Sequence, residues 1–119
     1  MPFRRLARLA TSATLVTILV AAPMGNAQAV AVFRGSGTAW LPTALTIHRG
    51  TVVRWRSVGG FHNVAAYGTN WTFNRSLPQG TTVRHRFRRR GTYRFRCTIH
   101  STLVGTLCTG MCGKVVVRR

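Results

Sequence analysis

Apolar and polar side chains alternate along most of the chain after residue 40. In the segment VVRWRS, Val53 and Trp55 alternate with two arginines, and the segments 83–88 and 93–97 repeat this period of two. Such a period places successive side chains on opposite faces of a β-strand. Glycine-containing turn signals separate the segments. The sequence therefore predicts an all-β domain, an antiparallel β-sandwich with one apolar interior.

The N-terminal residues have a different pattern. Three arginines precede the apolar run LATSATLVTILVAAP, and Ala27-Gln28-Ala29 follows it. A positive segment, an apolar segment and a small-x-small site, in that order, indicate a secretory signal peptide. The alternative is an uncleaved anchor, although the run is short for a membrane span. We expect residues 1–29 to be a cleaved signal peptide and residues 30–119 to be one secreted or extracytoplasmic domain.

The charge of the chain is strongly one-sided. It contains 18 Lys and Arg residues and no Asp or Glu. Three of the arginines lie in the predicted signal peptide, so the predicted mature domain keeps fifteen of these positive charges. Without carboxylates the chain cannot form a calcium or magnesium cage, a Ser-His-Asp triad or a glycosidase carboxylate pair. Any chemistry must come from His, Cys, Met, Tyr or backbone groups.

Four possible metal ligands stand out in the strand pattern. Cys97 faces inward near a strand end, His100 follows three residues later, Met111 precedes the last strand, and His62 lies upstream at the start of another run. Singly, a buried Cys or Met is usually a core residue. Together, two imidazoles, a thiolate and a thioether suit copper in both of its oxidation states and are typical of electron-transfer copper sites.

At these residues the sequence resembles the cupredoxins, specifically small blue copper proteins of the plastocyanin and pseudoazurin type. The matching segments are WLPTALTIHRGTVVRWRS, FHNV, GTYRFRCTIH and GMCGKVVV, which together cover about residues 40–117. The resemblance implies an antiparallel Greek-key β-sandwich with one type 1 copper ion. It implies three equatorial ligands and one axial ligand: His62, Cys97, His100 and, axially, Met111. It also implies that Asn63 braces the cysteine loop through hydrogen bonds.

The chain departs from the family pattern before the methionine. The family's methionine follows the second histidine within a few residues, whereas here the ten residues STLVGTLCTG intervene before Met111. Cys108 and Cys112 flank that methionine. Once Cys97 is assigned to copper, these two are the remaining pair, and an oxidising compartment favours a disulfide between them. The alternative is that both stay thiolates and join Cys97 in trapping Cu(I).

These observations lead to three hypotheses on function. The first is an exported carrier of single electrons, not an enzyme, which uses the Cu(I)/Cu(II) couple. The second is an extracytoplasmic copper carrier or scavenger. The third is binding of nucleic acid or another polyanion through charge alone, which does not explain the positions of the four ligands. For the first hypothesis we expect a monomer without a transmembrane anchor after cleavage. Its partner would be an acidic redox protein or an anionic cell-envelope surface, with no specific nucleic acid.

Overall fold

The computed structural model describes residues 9–19 and 31–119 of the chain. Residues 9–19 are exposed and belong to no helix or strand. The predicted cleavage site after Ala29 and most of the predicted signal peptide lie outside the described residues, so the division at residue 29 stays a prediction. Among the described residues, no helix is long and apolar enough to span a membrane.

Nine β-strands make up residues 31–119. They are β1 (Ala31–Ser36), β2 (Ala39–Leu41), β3 (Ala44–His48), β4 (Val52–Gly59), β5 (His62–Tyr67), β6 (Asn74–Leu77), β7 (Thr82–Arg86), β8 (Gly91–Val104) and β9 (Leu107–Arg118). The alternating segments noted in the sequence fall in β4, β7 and β8, as the period of two predicts.

The strands form two sheets packed face to face. One sheet has the order β2-β1-β4-β7 and the other the order β3-β9-β8-β5-β6. Pairing is antiparallel except between β1 and β4 and between β3 and β9, where neighbouring strands run in the same direction. The predicted all-β sandwich is confirmed, but its sheets are mixed rather than purely antiparallel. An alternating pattern fixes the faces of a strand and not its direction, which is why the sequence did not reveal this.

The interior of the sandwich is filled by aromatic rings. Phe95 on β8 lies at their centre, with its ring 4.7 Å from that of Phe33, 5.5 Å from Trp40 and 5.3 Å from Trp55. All four side chains are fully buried, and each contributes on the order of 2–3 kcal/mol through burial of its apolar surface. Because Phe95 is two residues before Cys97, this packing fixes the strand that carries the cysteine.

Candidate metal centre

A large bulge interrupts the pairing of β8 with β9. Arg96 pairs with Cys112, and the next pair is Ser101 with Gly110. Four residues of β8, Cys97–His100, therefore lie opposite the single residue Met111. An excess of residues in one strand bends it and redirects its side chains. We call Cys97–His100 the ligand bulge, since its first and last residues are both candidate ligands.

The ligand bulge and β5 bring three donor atoms together. The Sγ of Cys97 lies 3.5 Å from Nδ1 of His100 and 3.9 Å from Nδ1 of His62, and the two Nδ1 atoms are 3.3 Å apart. Cys97 and His62 are buried, whereas His100 is half-buried. Two imidazoles and one thiol can hold a soft metal ion between them.

A backbone carbonyl orients the ring of His62. Its Nε2 lies 2.7 Å from the carbonyl oxygen of Gly59, so the hydrogen-bond network assigns the proton to Nε2, which donates to that oxygen. Nδ1 of His62 is then unprotonated, and its lone pair is available to a metal ion on the side of Cys97 and His100. In a chain without Asp or Glu, a main-chain carbonyl orients this histidine, as a side-chain carboxylate often does for a metal-binding histidine.

Side chains on both sides hold the ligand bulge in shape. The backbone N–H of Thr98 donates to Oδ1 of Asn63 over 2.7 Å, and the Thr98 hydroxyl donates to the same oxygen over 3.2 Å. On the other side the hydroxyl of Ser101 donates to the carbonyl of Cys97. Together these bonds satisfy polar backbone groups that the interrupted ladder leaves unpaired.

Met111 lies in β9, directly across from the ligand bulge, and its side chain is fully buried. A Cβ atom added to Gly35 would stand 3.1 Å from Cε of Met111, 3.2 Å from Cδ2 of His62 and 2.9 Å from Cζ3 of Trp40. The end of the Met111 side chain and the ring of His62 therefore adjoin the same point on β1. The sequence analysis placed Met111 before the last strand, and that expectation is wrong, because β9 already begins at Leu107.

The ten residues before Met111 form a β-hairpin. Residues 101–104 of β8 pair with residues 107–110 of β9, and Gly105 at the turn has a φ of +59°. Within the returning strand, Cys108 and Cys112 form a disulfide with their Cα atoms 6.2 Å apart. The predicted disulfide is therefore present, and Cys97 is the free cysteine. Met111 lies within the five-residue ring that the Cys108–Cys112 disulfide closes.

The other two histidines of residues 31–119 do not join this cluster. His48 is exposed and hydrogen-bonds to the main-chain oxygen of Arg119. His85 is half-buried, with its ring centroid 5.5 Å from that of Trp71 and 4.6 Å from that of Phe87. Partial burial lowers the pKa of His85 below its usual value of 6.5.

Two glycines contribute to the site without having appeared among the sequence candidates. Gly59 supplies the carbonyl that orients His62, and Gly35 leaves room for His62 and Met111. A glycine inside a strand often marks a close approach of another group. That signal was present in the segment FRGS of β1, but it does not say which group approaches.

The comparisons with known proteins support the same kind of site. No family model and no curated protein matches the sequence. Among solved structures, a purple cupredoxin from Nitrosopumilus maritimus is similar over 74% of this chain and 99% of its own, with 25% identity and a TM-score of 0.58. Amicyanin from Paracoccus versutus is similar over 75% of this chain and 81% of its own, also with 25% identity and a TM-score of 0.58.

A copper-containing nitrite reductase from Thermus scotoductus has the same fold at 20% identity, with a TM-score of 0.63 over 76% of this chain. The chain spans only 23% of that enzyme's length, so this likeness concerns the fold alone. The comparisons and the cluster of His62, Cys97 and His100 confirm the predicted resemblance and support a single copper site. The chain has the cupredoxin fold and is consistent with a small blue copper protein.

Proposed function

We propose that the chain is an exported type 1 copper protein that carries single electrons between redox partners and is not itself an enzyme. In this proposal His62, Cys97 and His100 are the equatorial ligands and Met111 is the axial ligand. The observation that carries it is the convergence of the three donor atoms within 4.8 Å of one another, opposite a buried methionine. Bound copper would supply a Cu(I)/Cu(II) couple, and this mixture of nitrogen and sulfur donors suits both oxidation states.

The scaffold holds the donors in place from several directions. His62 is fixed by the Gly59 carbonyl, the ligand bulge by Asn63, and Cys97 by burial beside the aromatic core. A one-electron carrier works best when its ligands move little between oxidation states. Buried side chains in a close-packed interior resist such movement, which favours electron transfer over reversible metal release.

The surface next to the donors favours contact with a partner protein. Phe61 and Ile99 are chain neighbours of the two histidines, and their side chains are 53% and 55% exposed. Exposed apolar patches often mark a protein contact, and His100, the chain neighbour of Ile99, is half-buried whereas Cys97 is buried. With fifteen positive charges and no carboxylate side chain on the predicted mature domain, the partner in this proposal is an acidic redox protein or an anionic cell-envelope surface.

The copper carrier or scavenger was the alternative for the same fold. It relied on Cys108 and Cys112 as additional thiolates for Cu(I). Both are joined in a disulfide and offer no thiolate while it is intact, so this alternative has no specific observation in its favour.

The test is the visible absorption of the protein after Cu(II) is added. We expect an intense thiolate-to-copper band, a reversible one-electron wave in voltammetry, and copper that a chelator does not remove within minutes. Cys97→Ser should abolish the band, and Cys108→Ser, the matched control, should keep it. If both variants keep the band, the ligand assignment is wrong. Copper that exchanges within minutes would favour the carrier instead.

A further inference from the structure

Four arginines lie together on the outer face of the four-stranded sheet. Arg34 on β1 pairs in register with Arg56 on β4, and Arg54 on β4 pairs with Arg84 on β7. Directly paired residues lie about 5 Å apart, and residues two apart in one strand about 7 Å. We call this group the arginine face.

The arginine face lines a shallow cavity of about 260 Å³ on the protein surface. Its lining consists of Val32, Arg34, Arg54, Arg56, Thr82 and Arg84. Arg54 is half-buried and the other three arginines are exposed. The four arginines therefore line one groove on the surface.

Nothing in the chain neutralises these charges. Like charges in directly paired positions of a sheet destabilise it, and the chain has no Asp or Glu to offset them. The main-chain oxygen of Arg119 hydrogen-bonds to His48 on another strand. An anionic ligand in the groove would therefore relieve repulsion as well as form new contacts.

The side chains of the face favour an oxyanion. All four positive groups are arginines, whose planar guanidinium fork binds phosphate or carboxylate through two parallel hydrogen bonds and is commonly used to recognise phosphate. The aromatic residues of the same strands, Phe33 and Trp55, are fully buried, so they offer no ring on which a nucleic acid base would stack. A groove also fits a chain better than it fits a flat bilayer.

We propose that the arginine face binds a linear phosphate-bearing polymer. Because Val53 and Trp55 alternate with the arginines and are fully buried, the face is directed away from the interior that contains His62 and Cys97. Binding there would hold the protein on a polyanion while leaving the apolar surface at Phe61 and Ile99 free. The inference does not depend on the copper function.

The size of the effect follows from release of counterions. For a single-stranded polyanion, affinity falls with salt with a logarithmic slope of about 0.7 for each phosphate contact. Four contacts predict a loss of about 50-fold between 50 and 200 mM salt, and two contacts a loss of about 7-fold. Removing two of the four arginines should weaken binding about 25-fold at 0.1 M salt by the same relation.

The experiment measures binding of long-chain inorganic polyphosphate to the folded protein. The double variant Arg54→Gln with Arg84→Gln should bind about 25-fold more weakly than wild type at 0.1 M salt. Its affinity should fall only about 7-fold between 50 and 200 mM salt. Arg75→Gln with Arg94→Gln, which removes the same charge from the other sheet, should bind nearly as well as wild type. An equal loss in both double variants would show that net charge alone is responsible and would overturn the proposal.

Two further ligands test the chemistry. Polyglutamate that binds as tightly as polyphosphate would overturn recognition of phosphate, and tighter binding to phosphatidylglycerol vesicles through the same arginines would make the partner a bilayer. The Cys97→Ser variant should bind polyphosphate like wild type. A failure of the copper assignment and a failure of this inference are therefore distinguishable.

Discussion

Gly110 of the hairpin packs closely against the ligand bulge of the candidate metal centre, and replacing it with alanine tests the importance of that packing. Its φ is +95°, and a Cβ atom there would collide with the carbonyl oxygen of His100 and stand 3.1 Å from Cα of Ser101. Gly105, at the turn of the same hairpin, also has a positive φ, but an added Cβ would meet nothing within 4 Å. Gly105→Ala is therefore a matched control for backbone strain without a collision.

The two substitutions should differ by a measurable amount. A left-handed conformation costs a non-glycine residue about 1–2 kcal/mol, and the reduced freedom of the unfolded chain offsets about 0.4–1 kcal/mol. Gly105→Ala should thus lower the free energy of unfolding by about 1 kcal/mol. Gly110→Ala adds an overpacking cost of about 1–3 kcal/mol, because the obstacle is backbone and cannot rotate away.

Urea denaturation of the copper-free variants measures both values. After Cu(II) is added, Gly110→Ala should also shift the visible band, since the displaced carbonyl belongs to His100, whereas Gly105→Ala should not. Equal losses of stability together with unchanged spectra in both variants would refute the claim that the hairpin and the ligand bulge are packed against each other.

Three more outcomes follow from electrostatics and hydrogen bonding. The reduction potential of the copper-loaded protein should fall as salt is raised from 10 to 500 mM. The positive field of the protein favours the less positive Cu(I) state, and salt screens that field. A rise of the potential in voltammetry would contradict this. The lowered pKa of His85 means that the unfolded state binds more protons, so stability should be full above pH 6.5 and decline as pH falls below it. Denaturation of His85→Gln at pH 8 and pH 5 should show a smaller decline than wild type. Asn63→Ala should lower the free energy of unfolding by about 0.5–1.5 kcal/mol, because the hydrogen bonds from Thr98 are lost. Asn70→Ala is the control, since it removes a side-chain hydrogen bond to a backbone oxygen away from the ligand bulge. Comparing the visible bands of the two variants shows whether the band responds to the ligand bulge specifically.

The predicted strand faces agree with the structure because alternation is a local property. Trp55, Phe87 and Phe95 are buried as their position in the pattern requires, and the arginines between them are not fully buried. The types of the donor residues were also readable, because the resemblance rests on which residues occur and in what order. The strand faces and the donor types need no knowledge of strand pairing, whereas the approach of Cys97 to His100 depends on the ligand bulge.

The position of Met111 depends on pairing between distant residues and could not be read in the same way. The hairpin signal was present, because Gly105 and Thr106 alone separate two short apolar segments, and two-residue turns that contain glycine commonly join paired strands. What the sequence does not give is the register between β8 and β9. That register places four residues opposite Met111 and brings Gly110 against His100. The space left by Gly35 on β1 depends on non-local contacts of the same kind.

The disulfide should stabilise the domain more than it shapes the metal centre. For the short loop between Cys108 and Cys112, the chain-entropy relation gives about 2 kcal/mol. A free ten-residue loop would need this disulfide to hold Met111, but the structure holds it in other ways. The β8–β9 ladder continues on both sides of Met111, and its side chain is fully buried.

We therefore expect the double variant Cys108→Ser with Cys112→Ser to lose about 2 kcal/mol of unfolding free energy while its copper spectrum stays close to that of wild type. Thiol titration of the unfolded, copper-free wild type should find one free thiol, that of Cys97. Urea denaturation and the visible band of the double variant are measured in parallel. A large shift of the band with little loss of stability would contradict the reasoning, because it would mean that the disulfide, and not the ladder, positions Met111.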